Sequence, residues 1–174
     1  MNEKDVKQKM ETIYFPEYRI YKPNKSGSGA ASRLQIKIAD KQGRHHVYLF
    51  LESAQQTGLD SEGNASFAWT DKNKKVTFKM EALDVGELLC VLDGTKEFAG
   101  MPAKDGKGGS VFHQTPLGNT ILKFQKAGDV YWLGLSSKKK DGTLVNVKHV
   151  ISMGEGKIIK ILLEEAVKLM FGWR

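Results

Sequence analysis

Residues 75–94 read KVTFKMEALDVGELLCVLDG, and the hydrophobic period changes inside them. Val76, Phe78 and Met80 alternate with Lys75, Thr77 and Lys79, the period of two of a half-buried strand. From Asp84 onward, Val85, Leu88, Leu89 and Leu92 recur every three or four residues, which lines one face of a helix. Asp84 is a candidate N-cap and Gly94 a stop signal. A strand that turns directly into a helix therefore closes the first half of the chain.

The segments before it supply the other strands. YRIYKPN (18–24) reads as a strand ending at Pro23, and KSGSGAAS (25–32) as a flexible loop. RLQIKIAD (33–40) alternates, with Leu34, Ile36 and Ile38 on one face and Arg33, Gln35 and Lys37 on the other. RHHVYLFLES (44–53) is apolar on both faces around Val47 to Leu51. A loop with Gly58, Asp60, Gly63 and Asn64 precedes a short strand beginning at Phe67. The same order then returns. SVFHQTP (110–116), NTILKFQKA (119–127), DVYWLGLSSKK (129–139) and TLVNVKHVIS (143–152) are strands, and residues 155–173 form a long helix. The fold class predicted is α+β: two ββββα repeats, 18–94 and 110–173, within one domain spanning 17–174. Residues 1–16 read as a polar N-terminal arm. The halves share little residue identity, so the repeat is architectural.

The last helix carries more apolar surface than one sheet can cover. Lys157, Lys160, Glu164 and Lys168 make a polar stripe, and most other positions, Ile158, Leu162, Leu169 and Met170 among them, are apolar. A helix on a single sheet needs an apolar arc of about 100°. The surplus fits a helix-to-helix contact in a homo-oligomer, or else a helix sunk between two sheets of one protomer.

The formal net charge is +7 and the pI near 9.4, which favours polyanionic partners such as nucleic acid. A single cysteine, Cys90, excludes an intramolecular disulfide and a four-cysteine zinc site. This fits a cytoplasmic or nucleoid-type reducing compartment and leaves a viral or processed organellar origin open. The apolar stretch near the C-terminus is interrupted by charges and is too polar to span a membrane.

The strand faces opposite the aliphatic ones mix cations with amides and flat side chains: Arg33, Lys37, Lys75, Lys79, Lys123, Trp132 and Lys148. Cations can follow phosphates while aromatic rings stack unpaired bases. The plainer reading is a solvated sheet face, on which alternating Lys and Thr are common. Chemistry finds little footing. His45 and His46 are strand neighbours that point to opposite faces, and His113 and His149 have no nearby carboxylate in sequence. No phosphate loop, nucleophile elbow or zinc-protease motif occurs. No metal, cofactor or catalytic residue is expected, and a binding protein is expected rather than an enzyme.

Four stretches share an order with a known family. SGSGAASRLQI (26–36) is placed like its basic loop-strand, and FAWTDKNKKVTF (67–78) is similar to its aromatic-x-Trp strand and basic turn. ALDVGELLCVLDG (82–94) resembles its first helix. VFHQTP (111–116) and MFGW (170–173) resemble its Phe-His-x-Pro strand and its hydrophobic-Gly-Trp ending. On these grounds the chain resembles Whirly-domain proteins, which bind single-stranded DNA. The first stretch departs from the family in placing its lysines at Lys22 and Lys25. The resemblance implies two four-stranded antiparallel sheets packed crosswise, and helices that meet in a homotetramer through Leu88, Ile158, Leu162, Leu169, Met170 and Trp173. It also implies contacts to single-stranded DNA, or RNA on a related fold, from Lys25, Arg33, Trp69, Lys74 and Lys75. Low sequence preference and a place in replication, repair, recombination or transcription would follow.

Overall fold

The computed structural model describes residues 12–14, 17–41, 44–116 and 118–173. In chain order the elements are β1 (Thr12–Tyr14), β2 (Tyr18–Lys22), β3 (Ala30–Lys41), β4 (Arg44–Leu59), β5 (Ala65–Phe67), β6 (Lys75–Met80) and α1 (Ala82–Leu92). They continue with β7 (Met101–Pro102), β8 (Gly109–Thr115), β9 (Gly118–Ala127), β10 (Val130–Lys139), β11 (Leu144–Ser152) and α2 (Met153–Met170). Of the arm predicted over 1–16, only residues 12–14 are described, and they pair antiparallel with β3 as β1. The rest of that prediction lies outside the described residues.

The ββββα repeat is present, in two antiparallel sheets. The first has six strands but is four wide: β1 and β2 share one edge of β3, and β5 and β6 share the far edge of β4. The second runs β11-β10-β9-β8, with the two-residue β7 as a short fifth strand. Strand β11 lies against β2, β3, β4 and β6, the full width of the first sheet, and β6 lies against β9, β10 and β11. Strands that meet so many strands of the facing sheet run across them, which is orthogonal packing.

Alternation decides which side chains enter the space between the sheets. Leu34, Leu49, Leu51, Val76, Phe78 and Met80 come from the first sheet, and Leu122, Phe124, Tyr131, Leu133, Leu135, Val147 and Ile151 from the second. Phe124 and Tyr131 stack with ring centroids 5.3 Å apart. A buried polar link joins the sheets: Ser32 Oγ and His149 Nε2 are 2.6 Å apart. Burial pulls the His149 pKa below its ordinary value, and the nearby Lys22 charge pushes the same way.

The helices bridge the two sheets. α1 lies against β6 and β9, α2 against β4, β10 and β11, and each against the other. Gly156 allows the approach, since a Cβ there would stand 2.5 Å from the Tyr131 ring. The structure moves two predicted boundaries. α1 starts two residues before Asp84, with Glu81 as its N-cap and Asp84 in the reciprocal position of a capping box. α2 starts after Ser152, boxed with Glu155. β3 begins at Ala30 rather than 33 because Ala30 and Ala31 already pair with Gln55 and Ala54, and β4 continues to Leu59 to receive β5.

Candidate nucleic-acid interface

Because the inner faces pack together, each sheet turns its outer face away from the other. The outer face of the second sheet is set by register. Gln125, Trp132 and Val150 form one row across β9, β10 and β11, and Lys123, Gly134 and Lys148 the next. Phe112, Ile121, Ser136 and Asn146 make a third row across β8 to β11. Trp132 is 45% exposed and Phe112 54%, far more than packed aromatic residues. Lys123 and Lys148 are exposed, and among the described residues neither has a carboxylate within ion-pair distance. The predicted trio Lys123, Trp132 and Lys148 therefore falls on one surface. Phe112 belongs with them. Its signal in the sequence is parity: Val111 and His113 turn inward, so the residue between them turns out.

The outer face of the first sheet has a similar composition and a different arrangement. Arg33, Gln35 and Lys37 on β3 lie opposite Glu52, Phe50 and Tyr48 on β4, and Thr77 and Lys79 on β6 lie opposite Glu52 and Phe50. The Arg33 guanidinium stands 4.9 Å from the centre of the Trp69 ring. The Lys37 and Lys79 ammoniums each stand 5.0 Å from a ring centre, Phe50 and Tyr48 respectively. At the middle sits Glu52, buried to 7% exposure. It accepts from Arg33, from Lys75 at 3.2 Å and from Thr77 at 2.6 Å. Burial alone would raise the Glu52 pKa. The hydrogen bonds from Thr77 and Arg33, with the charges of Arg33 and Lys75, outweigh it and hold the carboxyl below its ordinary value. Arg33 also meets Glu17 at 3.1 Å, and Lys79 meets Glu81 at 3.1 Å.

The remaining predicted contacts scatter. Lys25 and Lys74 are exposed in loops that both join the Gln55–Gln56 end of β4, through Asn24 N–H to Gln56 Oε1 and Gln55 N–H to the Lys74 carbonyl. Trp69 is half-buried beyond the end of β5. His113 does have a carboxylate beside it, Asp84 Oδ2 at 3.1 Å, brought there by α1, and its ring stacks on Phe78. It is tied into the core.

Of the residues predicted to join subunits, Leu88 is a correction. It is 3% exposed inside the protomer, because α1 turns that side of its helix into the space between the sheets. The others lie along α2 and just beyond it. Ile158 is 45% exposed and Trp173 67%, Leu162 and Leu169 are half-buried, and Met170 packs partly on the core. Ile158 and Leu162 border a groove of about 240 Å³ together with Glu17, Tyr18, Leu34 and Ile36. Among the described residues no helix is long and apolar enough to cross a membrane.

No protein-family model matches the chain, and no curated protein matches it in sequence. Among solved structures it is similar to MRP1/MRP2 of Trypanosoma brucei. The two share 17% identity and a TM-score of 0.57 over 90% of this chain and 86% of that one. At this identity the likeness speaks for the fold, and the fold is Whirly-like, as the order of strands and helices implies.

Proposed function

We propose that the protein binds single-stranded nucleic acid, DNA in the first instance, with little sequence preference and without acting as an enzyme. The observation that carries this reading is the outer face of the second sheet. There, unpaired Lys123 and Lys148 stand in the row next to the exposed Trp132. Such lysines neutralise phosphates, and an exposed indole stacks a base, each stack contributing about 1–3 kcal/mol. A duplex keeps its bases stacked on each other and has none to offer the ring, so single strands are the preferred partner. The Whirly-like fold agrees with this.

The exposed apolar side chains Ile158, Ile161, Phe171 and Trp173 favour a homo-oligomer, with a tetramer as the expected form. Light scattering on the purified protein checks this, and Ile158→Lys should shift the mass toward the monomer. Replication, repair, recombination or transcription are the settings such an activity would serve.

The test is fluorescence anisotropy with a labelled single strand of ~30 nucleotides, its RNA counterpart and its duplex. Tight binding of a single strand with weak duplex binding supports the proposal. RNA bound much more tightly than DNA moves it to an RNA-binding protein. Equal binding to single strand and duplex removes it.

A further inference from the structure

Gly134 occupies the middle of the Lys123–Gly134–Lys148 row. It points outward, since Leu133 and Leu135 on either side are buried. Neither packing nor backbone conformation demands a glycine there. Gly134 is not among the residues with positive φ, and a Cβ would meet only the Lys123 Cβ, at 3.8 Å, an ordinary contact. A central strand loses stability at glycine through backbone entropy and a missing side chain. What the glycine provides is an open floor between two lysines.

The dimensions suit one phosphate. Neighbouring strands are about 4.8 Å apart, so the Lys123 and Lys148 backbones stand about 10 Å apart across Gly134. Two extended lysines can converge over that gap. Along the strands, rows on one face are about 7 Å apart. The row on one side of the notch holds Trp132, and the row on the other holds Ile121 and the exposed Phe112. One phosphodiester joins two nucleosides, whose bases lie to either side of it. The surface repeats that order: flat ring, cation pair, apolar and aromatic surface.

We infer that Lys123, Gly134 and Lys148 form a seat for a single phosphodiester, shared by both lysines, with its flanking bases on Trp132 and on Phe112–Ile121. This rests on the proposed single-strand binding and assigns it a site and a stoichiometry. A side chain at position 134 would raise the floor and part the lysines. Lysines sharing one phosphate are coupled, whereas lysines on separate phosphates act independently.

The experiment measures single-strand affinity against salt for the wild type, Gly134→Val, Lys123→Gln, Lys148→Gln and the double glutamine variant, with thermal melts of each. Gly134→Val should melt at or above the wild-type temperature, because valine suits a strand, and should bind at least about 10-fold more weakly. The double glutamine variant should lose less affinity than the product of the two single losses. Its log–log salt slope should fall by about 0.7, the value for one phosphate on a single strand. Wild-type affinity in Gly134→Val would overturn the seat, and so would multiplicative single losses with a slope change near 1.4. A wild type that binds no single strand fails the proposed function itself, and the two failures are thereby distinct.

Discussion

The two outer faces hold similar residues in opposite ways. On the first sheet Arg33 and Lys75 close on the buried Glu52, Lys79 on Glu81, and aromatic rings sit beside Arg33, Lys37 and Lys79. On the second sheet Lys123 and Lys148 face solvent without an acidic partner among the described residues, next to the Trp132 indole, which is 45% exposed. A cation already paired with a carboxylate must give up that pair to hold a phosphate, which offsets most of the gain. The first face is therefore neutralised within the fold, and on the proposed reading the second is the face that meets a polyanion. Cation content alone does not separate them; the positions of Glu17, Glu52 and Glu81 do.

The largest expected effect comes from reversing charge on the second face. Lys123→Glu with Lys148→Glu should weaken single-strand binding by about 100-fold or more at low salt, with melting unchanged. Comparable losses from Lys75→Gln would erase the distinction between the faces. Next is Trp132→Ala, expected to cost roughly 5- to 150-fold in affinity, the range of one lost base stack. Anisotropy reads both.

Arg33→Gln should act on the other property. It leaves the buried Glu52 and the half-buried Glu17 short of a cation, so stability in urea should fall by about 2 kcal/mol, less than for a fully buried pair because Arg33 is partly exposed. Affinity should change less than about threefold. The smallest effect is the pH dependence from His149. Its folded pKa lies below its ordinary value, so the unfolded chain takes up a proton before the folded one does. That share of stability is complete above pH ~6.5 and is lost as pH falls below it. His149→Gln should flatten this part of the curve in urea melts at pH 5 to 7.5. Glu52 has the same sign at lower pH: with its pKa lowered, its share is present above the usual carboxylate range and is lost on acidification.

Much of this was legible in the sequence, and what was hidden has a physical reason. The change of period at Met80–Asp84 and its return after Ser152 placed both helices and most strands. Alternation put Lys123, Trp132 and Lys148 outward. Cap identity was missed because Asp84 serves a capping box equally well from its third helical position. Leu88 was misplaced because a helix pattern tells which face is apolar and not what covers it. The pairing of Arg33 and Lys75 was invisible because Glu52 lies 19 and 23 residues away and reaches them only through the register of β3, β4 and β6. Gly134 carried no signal until its neighbours across the sheet were known.

The most direct test of the central claim is photocrosslinking of a halogenated-pyrimidine single strand to the wild-type protein, with the adducts mapped by mass spectrometry. Adducts on Trp132 and Phe112, in the segments VYWLGLS (130–136) and VFHQ (111–114), are predicted. Adducts confined to Tyr48, Phe50 and Trp69 would place the strand on the carboxylate-paired face and contradict the account.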